Sequence, residues 1–188
     1  MQAQDLQGID MILGGTAATA GAALTGISGA ATTFSTSAFN FIQNGIFVTK
    51  AAVSGGATPT TDIRNGLGLV LQANQGAAAV FGVDNQGNVQ VMFSPVETLD
   101  AAGNFLAAPR LPAFSQPPVV GYPTNAGGPV DGSSATQGPD FFVPFGIVLL
   151  KNGSTGSAWT FGTSNWNATG ISTQVYNISV MPNRPLAF

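Results

Sequence analysis

Glu97 and Asp100 stand three positions apart, the closest spacing of any two carboxylates in the chain. A carboxylate pair is what hydrolysis of a glycosidic bond uses for acid–base work, but such pairs usually come from separate elements facing one another across the bond. Two acids on one turn are ordinarily solvated. Asp84 and Asp100 each open a loop rich in Asn and Gly, which raises calcium. Each loop offers a single carboxylate, short of the alternating oxygen ligands and closing acid that such a site needs. The chain has no cysteine and no histidine. That removes thiolate chemistry and disulfides, together with the usual general base and the commonest ligand of zinc, copper and haem. Gly14, Gly15, Gly21 and Gly26 are not followed by the Lys-Ser/Thr of a phosphate loop. Glycosylation sequons begin at Asn152, Asn167 and Asn177, and they matter only on a eukaryotic secretory path, for which no signal is visible. No catalytic constellation, metal or cofactor is expected.

What sets the chain apart is how little charge it carries. Its 188 residues include 5 basic and 8 acidic side chains, 7% of the total, for a net charge of −3. A usual protein has ~25% charged residues. A compact monomer of this size exposes roughly 8,400 Å², so the charges would average about one per 640 Å². Free molecules are kept soluble and apart by much denser charge. Either Ser, Thr, Asn, Gln and Gly cover this surface, or other molecules do. Five scattered cations make no positive patch, so nucleic acid is not an expected partner. Asp10 to Lys50 is uncharged but dominated by Ala, Gly, Thr and Ser, whereas a spanning helix needs about 20 predominantly apolar residues. No membrane partner is expected, and with no basic residue before Lys50 a signal peptide is not expected either.

The elements that would carry any function divide into an arm and a domain. Residues 1–36 lack a steady period of 3.6 or 2, and their repeated glycines weaken a helix by about 1 kcal/mol per site. Such a segment cannot offset its ordering entropy alone. It is either a loose terminus or an extended arm that orders against a neighbouring subunit. Residues 37–188 read as a single β domain. Strands on both sides of Asn44-Gly45 predict a tight hairpin. Further strands are expected at Leu67–Leu71, Ala79–Val83, Val89–Phe93, Phe142–Leu150 and Ile171–Val180, with Trp159-Thr160-Phe161 returning after the Asn152–Ser157 turn. The Phe and Trp residues fall largely on these patterns and are expected in the core. The fold class is therefore mainly β, an antiparallel β-sandwich or β-barrel with a Gly/Ala-rich N-terminal arm. Residues 107–139 hold more than half of the prolines, which prevents regular ladders there. This Pro/Gly-rich loop is either a surface excursion or an inter-subunit strap. One internal echo is present: Val83-Asp84-x-x-Gly87-Asn88-Val89 is repeated as Leu99-Asp100-x-x-Gly103-Asn104-Phe105. Its pattern predicts Asp capping its own backbone, with Gly and Asn in left-handed conformations.

The run from Phe142 through Gly146-Ile147-Val148-Leu149-Leu150-Lys151-Asn152-Gly153 to Trp159-Thr160-Phe161-Gly162-Thr163 resembles small virion proteins of tailed bacteriophages. So do Asn44-Gly45-Ile46-Phe47-Val48-Thr49-Lys50-Ala51, Pro59-Thr60-Thr61-Asp62, Phe81 to Val89 and the closing Pro182-Asn183-Arg184-Pro185. The resemblance spans roughly residues 39–185 with gaps, leaves the Gly/Ala arm unmatched, and includes no catalytic motif. It implies a non-enzymatic capsid decoration (cement) protein on the exterior of the virion, assembled in the host cytoplasm. Its implied partners are the major capsid protein and further copies of itself, as a homotrimer. The alternatives are a tail or fibre component, or a cell-surface binding module. On this reading the assembly contacts would fall on the arm, at Leu6, Ile9, Met11, Ile12, Leu13, Leu24 and Ile27. Arg64, Arg110 and Arg184, with Lys50 and Lys151, would pair with capsid carboxylates.

Overall fold

The computed structural model describes residues 17–20, 24–43, 46–84, 87–111 and 142–177. Among them there is no helix. Thirteen strands follow in chain order: β1 (Ala17–Ala20), β2 (Leu24–Thr25), β3 (Thr33–Thr36), β4 (Phe39–Gln43), β5 (Ile46–Lys50), β6 (Val53–Ala57) and β7 (Val70–Leu71) come first. They are followed by β8 (Gln75–Val83), β9 (Val89–Phe93), β10 (Glu97–Thr98), β11 (Val143–Asn152), β12 (Trp159–Thr160) and β13 (Ile171–Asn177). All strand pairings are antiparallel: β1-β4-β5, β2-β3-β6, β12-β7, and a central sheet ordered β10-β8-β11-β13 with β9 also against β8. The protein is mainly β, as its turn spacing and alternation predict.

β8 and β11 are long and apolar because both faces of the central sheet are covered. Opposite residues of an antiparallel pair share a face. Val83, Ala79 and Ala77 of β8 stand against Val143, Val148 and Leu150 of β11, and all of them belong to the main core. The register shifts between Pro144 and Gly146. This bulge inserts Phe145, which also enters the main core. On the opposite face Val80 meets Met92, Ile63 and Phe142 in a second, smaller cluster. Gly76 and Gly82 lie on that same face, and the rings of Phe105 and Phe142 occupy the space where their β-carbons would be. Strand glycines thus serve here as seats for aromatic rings.

All four sheets contribute to the main core, which contains Leu24, Phe34, Phe39, Phe41, Leu71, Phe81, Trp159 and Phe161 among others. Phe39 and Phe145 lie 4.9 Å apart, and Phe161 sits edge-on to both Phe93 (4.9 Å) and Trp166 (5.4 Å). Such pairs add about 0.5–1.5 kcal/mol each beyond the area they bury. The buried indoles are also satisfied: Trp159 donates to the Asn165 carbonyl and Trp166 to that of Thr33.

Several expectations meet a different outcome. β4 and β5 pair from Phe39↔Lys50 to Gln43↔Ile46, so the hairpin is present, while Asn44 and Gly45 themselves lie outside the described residues. Trp159-Thr160 does not return along β11 but pairs with β7, because both edges of β11 are taken by β8 and β13. The Leu67–Leu71 run contributes only Val70 and Leu71 as strand, and Leu67 is 65% exposed at the end of a turn that begins at Asp62.

The largest correction concerns the arm, since residues 24–36 are part of the domain. Leu24, Ile27 and Phe34 are buried in the main core, and β2 and β3 form a sheet with β6. The segment runs antiparallel to residues 166–177. The Leu24 amide donates to Asn177 Oδ1 (2.7 Å), and Thr173 Oγ1 donates to the Ile27 carbonyl (3.1 Å). The amides of Asn167 and Trp166 donate to the carbonyls of Gly29 and Ala31 (3.1 and 3.0 Å). Glycine and alanine suit this role because a backbone without bulky side chains can lie close to a sheet edge. Residues 1–16 and most of the Pro/Gly-rich loop lie outside the described residues.

Candidate assembly surface

The candidate acids are held by loop geometry. In the second loop of the echo the Asp100 amide donates to the Asn104 carbonyl (2.8 Å), and Gly103 N–H donates to the Asp100 carbonyl (3.0 Å). Asp100 Oδ1 accepts from the amides of Asn104 (2.8 Å) and Ala102 (2.9 Å). The first loop repeats this: Asp84 N–H to Asn88 O is 2.9 Å, Gly87 N–H to Asp84 O is 3.0 Å, and Asn88 N–H to Asp84 Oδ1 is 2.8 Å. Gly87 and Gly103 have φ of 81° and 79°, whereas Asn88 and Asn104 are not left-handed. Only the glycine needs that conformation, because the Asn side chain instead donates to the Asp carboxylate. The Asn104 amide bond, with the other donors of the loop, holds the Asp100 carboxyl below its ordinary value. An acid held ionised is a poor proton donor. Glu97, on β10, pairs with Gly76 and takes no part in this loop's hydrogen bonds. Among the described residues no group of three or more His, Cys, Asp or Glu converges to hold a metal ion. No helix among them is long and apolar enough to cross a membrane.

Arg64, expected at an assembly contact, is half of an internal clamp. Its Nε and Nη2 donate to the two oxygens of Asp62 (2.9 and 2.6 Å), and Nη2 also reaches the Phe93 carbonyl (2.6 Å). Asp62 is 2% exposed and accepts as well from the amides of Phe93 and Arg64. The forked guanidinium matches a carboxylate in two-point geometry, which a lysine would not. The clamp pins the 62–67 turn to the edge of β9.

The other charges show the same inward use. Lys50 Nζ donates to the Gly87 carbonyl (2.6 Å), and Lys151 Nζ lies 5.3 Å from the centre of the Phe105 ring. Asp84 Oδ2 accepts from Gln90 Nε2 (3.1 Å). Glu97 and Arg110 are the remaining charged side chains among the described residues, and Arg110 is exposed. Leu24 and Ile27 are 2% and 4% exposed, so in this fold they are core residues and not a free contact surface. Leu6, Ile9, Met11, Ile12, Leu13 and Arg184 lie outside the described residues.

Among the described residues the surface is therefore sparsely charged and in places apolar. Leu67, Val70, Val96, Leu106, Leu111 and Tyr176 are exposed large hydrophobic side chains, led by Leu106 at 69%. Sequence reasoning missed Leu106, since nothing in its neighbourhood distinguishes an outward leucine from a core one. A recess of about 240 Å³ is lined by Ser157, Ala158, Trp159, Ser164, Ala168 and Thr169. None of these side chains is ionisable, and Trp159 is buried, so the recess offers hydroxyls but no stacking platform. Of the sequon asparagines, Asn152 is fully buried, Asn167 is exposed, and Asn177 is exposed but engaged by Leu24. Comparison of the chain with family models, curated proteins and solved structures finds no match.

Proposed function

We propose that this chain is a non-enzymatic structural protein of a tailed-phage virion: a decoration (cement) protein bound to the major capsid protein on the capsid exterior. The observation that carries the reading is the inward use of charge. Lys50, Asp62, Arg64, Asp84, Asp100 and Lys151 all spend their polar capacity on the chain's own loops and rings. Among the described residues only Glu97 and Arg110 stand outside these contacts, and the exposed large apolar side chains are leucines, valines and one tyrosine. Such a surface suits broad contact with other subunits, whose buried centres are depleted in charge. A sheet covered on both faces gives the rigid body that a clamp across capsid seams requires. Closed rings are the common way for identical copies to bury such surface, and a homotrimer fits a shell built on threefold positions.

Particles purified from the host that carries this gene test the reading by their composition. The decoration role predicts this chain at a copy number comparable to that of the major capsid protein. A few copies per particle would place it in a tail or fibre, and its absence from particles would reject the virion reading altogether.

A further inference from the structure

β1 and residues 24–27 are joined to the rest of the domain by an exposed bend. Ser28, Gly29 and Ala30 are consecutive exposed bend residues. Gly29 has φ 80°, and no atom lies within 4 Å of the place its β-carbon would take. On the N-terminal side of this bend Leu24 and Ile27 are inserted in the core. Leu24 rests on Gly146 of β11, where an added β-carbon would stand 3.2 Å from that of Leu24. Among the described residues, the pairings and hydrogen bonds that hold this segment run to groups on the other side of the bend in sequence. β1 pairs with β4, β2 pairs with β3, Leu24 bonds to Asn177, and Ile27 bonds to Thr173.

These contacts are the same whichever copy of the chain supplies the segment. Exchange of an identical element between copies is a low-cost route to association, because only the connecting bend differs. The tethered segment competes through its own effective concentration, of millimolar order for a short flexible connection. Copies of the isolated chain at millimolar concentration reach that range. A net charge of −3 raises little long-range repulsion against their approach. An emptied seat would also leave Gly146 and the neighbouring core open to water, which favours its being filled by one copy or another.

We propose that residues 24–27, together with β1, form an exchangeable plug, which a second copy of this chain accepts in place of its own, linking the two through the Leu24 seat on Gly146. The proposal does not rest on the virion reading and is tested on the isolated full chain.

The absence of native cysteine supplies the test. One chain carries Leu24→Cys; a second, lengthened by a tag, carries Gly146→Cys. The two are unfolded, refolded together at millimolar concentration and oxidised. Each chain has one thiol, so no link can form within it. The seat places the two β-carbons 3.2 Å apart, so that an outward shift of a few tenths of an ångström reaches the separation of a disulfide, about 3.5–4.5 Å. Exchange predicts that the mixed disulfide exceeds both same-chain dimers several-fold and grows with concentration. Thr25→Cys and Ser35→Cys, which stand opposite one another across β2 and β3, repeat the test at the surface should Gly146→Cys not fold. Unlinked chains, or a statistical mixture of dimers, for whichever pair folds would overturn the proposal.

Discussion

The side-chain oxygen of Asn152 lies against the α-carbon of Gly156, so closely that a β-carbon at residue 156 would overlap it. Asn152 is fully buried at the end of β11, and its amide donates to the carbonyls of Leu71 (3.1 Å) and Ser157 (2.8 Å). One side chain thus ties three parts of the chain: β11, β7 and the loop that leads into β12. Gly156→Ala should destabilise the fold by about 3 kcal/mol through overpacking. Asn152→Ala, which removes a donor from each of these carbonyls, should cost about 2 kcal/mol. The double substitution should cost less than the sum, because the overlap disappears with the amide. Urea unfolding of the four proteins measures this, and strict additivity would contradict the contact.

The Asp62–Arg64 clamp predicts an asymmetry. Asp62→Ala removes the acceptor of the guanidinium and of the Phe93 amide, and should cost about 3 kcal/mol. Arg64→Ala leaves Asp62 its backbone donors and should cost about 1 kcal/mol. Equal losses in thermal unfolding would show that the main-chain bonds to Asp62 contribute little.

Asp100 supplies a pH dependence with a definite sign. Its carboxyl is held below the ordinary value of 3.8, foremost by the Asn104 amide. Whatever the loop gains from this is present above the unfolded value, and is lost as pH falls through the lower folded one. The Asn104 amide resonance should therefore follow an NMR titration with its midpoint below 3.8, and Asp100→Asn should abolish that titration. A midpoint above the ordinary value would contradict the loop geometry.

Leu24→Ala should destabilise the domain by about 2–4 kcal/mol, the range for emptying a buried leucine site. Deletion of residues 1–36 should unfold it outright, since β2, β3, Leu24, Ile27 and Phe34 go together. Circular dichroism checks both. A deletion variant that keeps its sheet signal would restore the reading of 24–36 as a detachable arm.

Elements whose signal is local were legible in the sequence. The β8–β9 hairpin follows from an apolar run, a loop with Asp, Gly and Asn, and an alternating strand after it, and the echo at Asp100 has the same bonds because those bonds form within five residues. The partner of Trp159-Thr160 was not legible. That strand pairs with β7 across 88 residues of chain, and only the occupancy of both β11 edges decides it. The fate of Leu24 and Ile27 was hidden for a similar reason. Two apolar residues among glycines and alanines carry no period, and their seat is made by Gly146, Thr173 and Asn177 far along the chain. Arg64 looked outward because a cation usually is. Its acid lies two residues away, but the bond depends on Asp62 being buried against β9. Low charge was evident from composition, whereas the internal use of most of the charges among the described residues follows only from the fold.

The central claim is that the sparsely charged exterior exists to be covered by other subunits. Co-sedimentation of the purified chain with assembled shells, beside a parallel run with unassembled capsid subunits, tests it most directly. The account predicts saturable binding to the shells, with a copy number close to that of the capsid protein, and little binding to the free subunits. A chain that stays in the supernatant as a soluble monomer, at any concentration and with any shell, would contradict it.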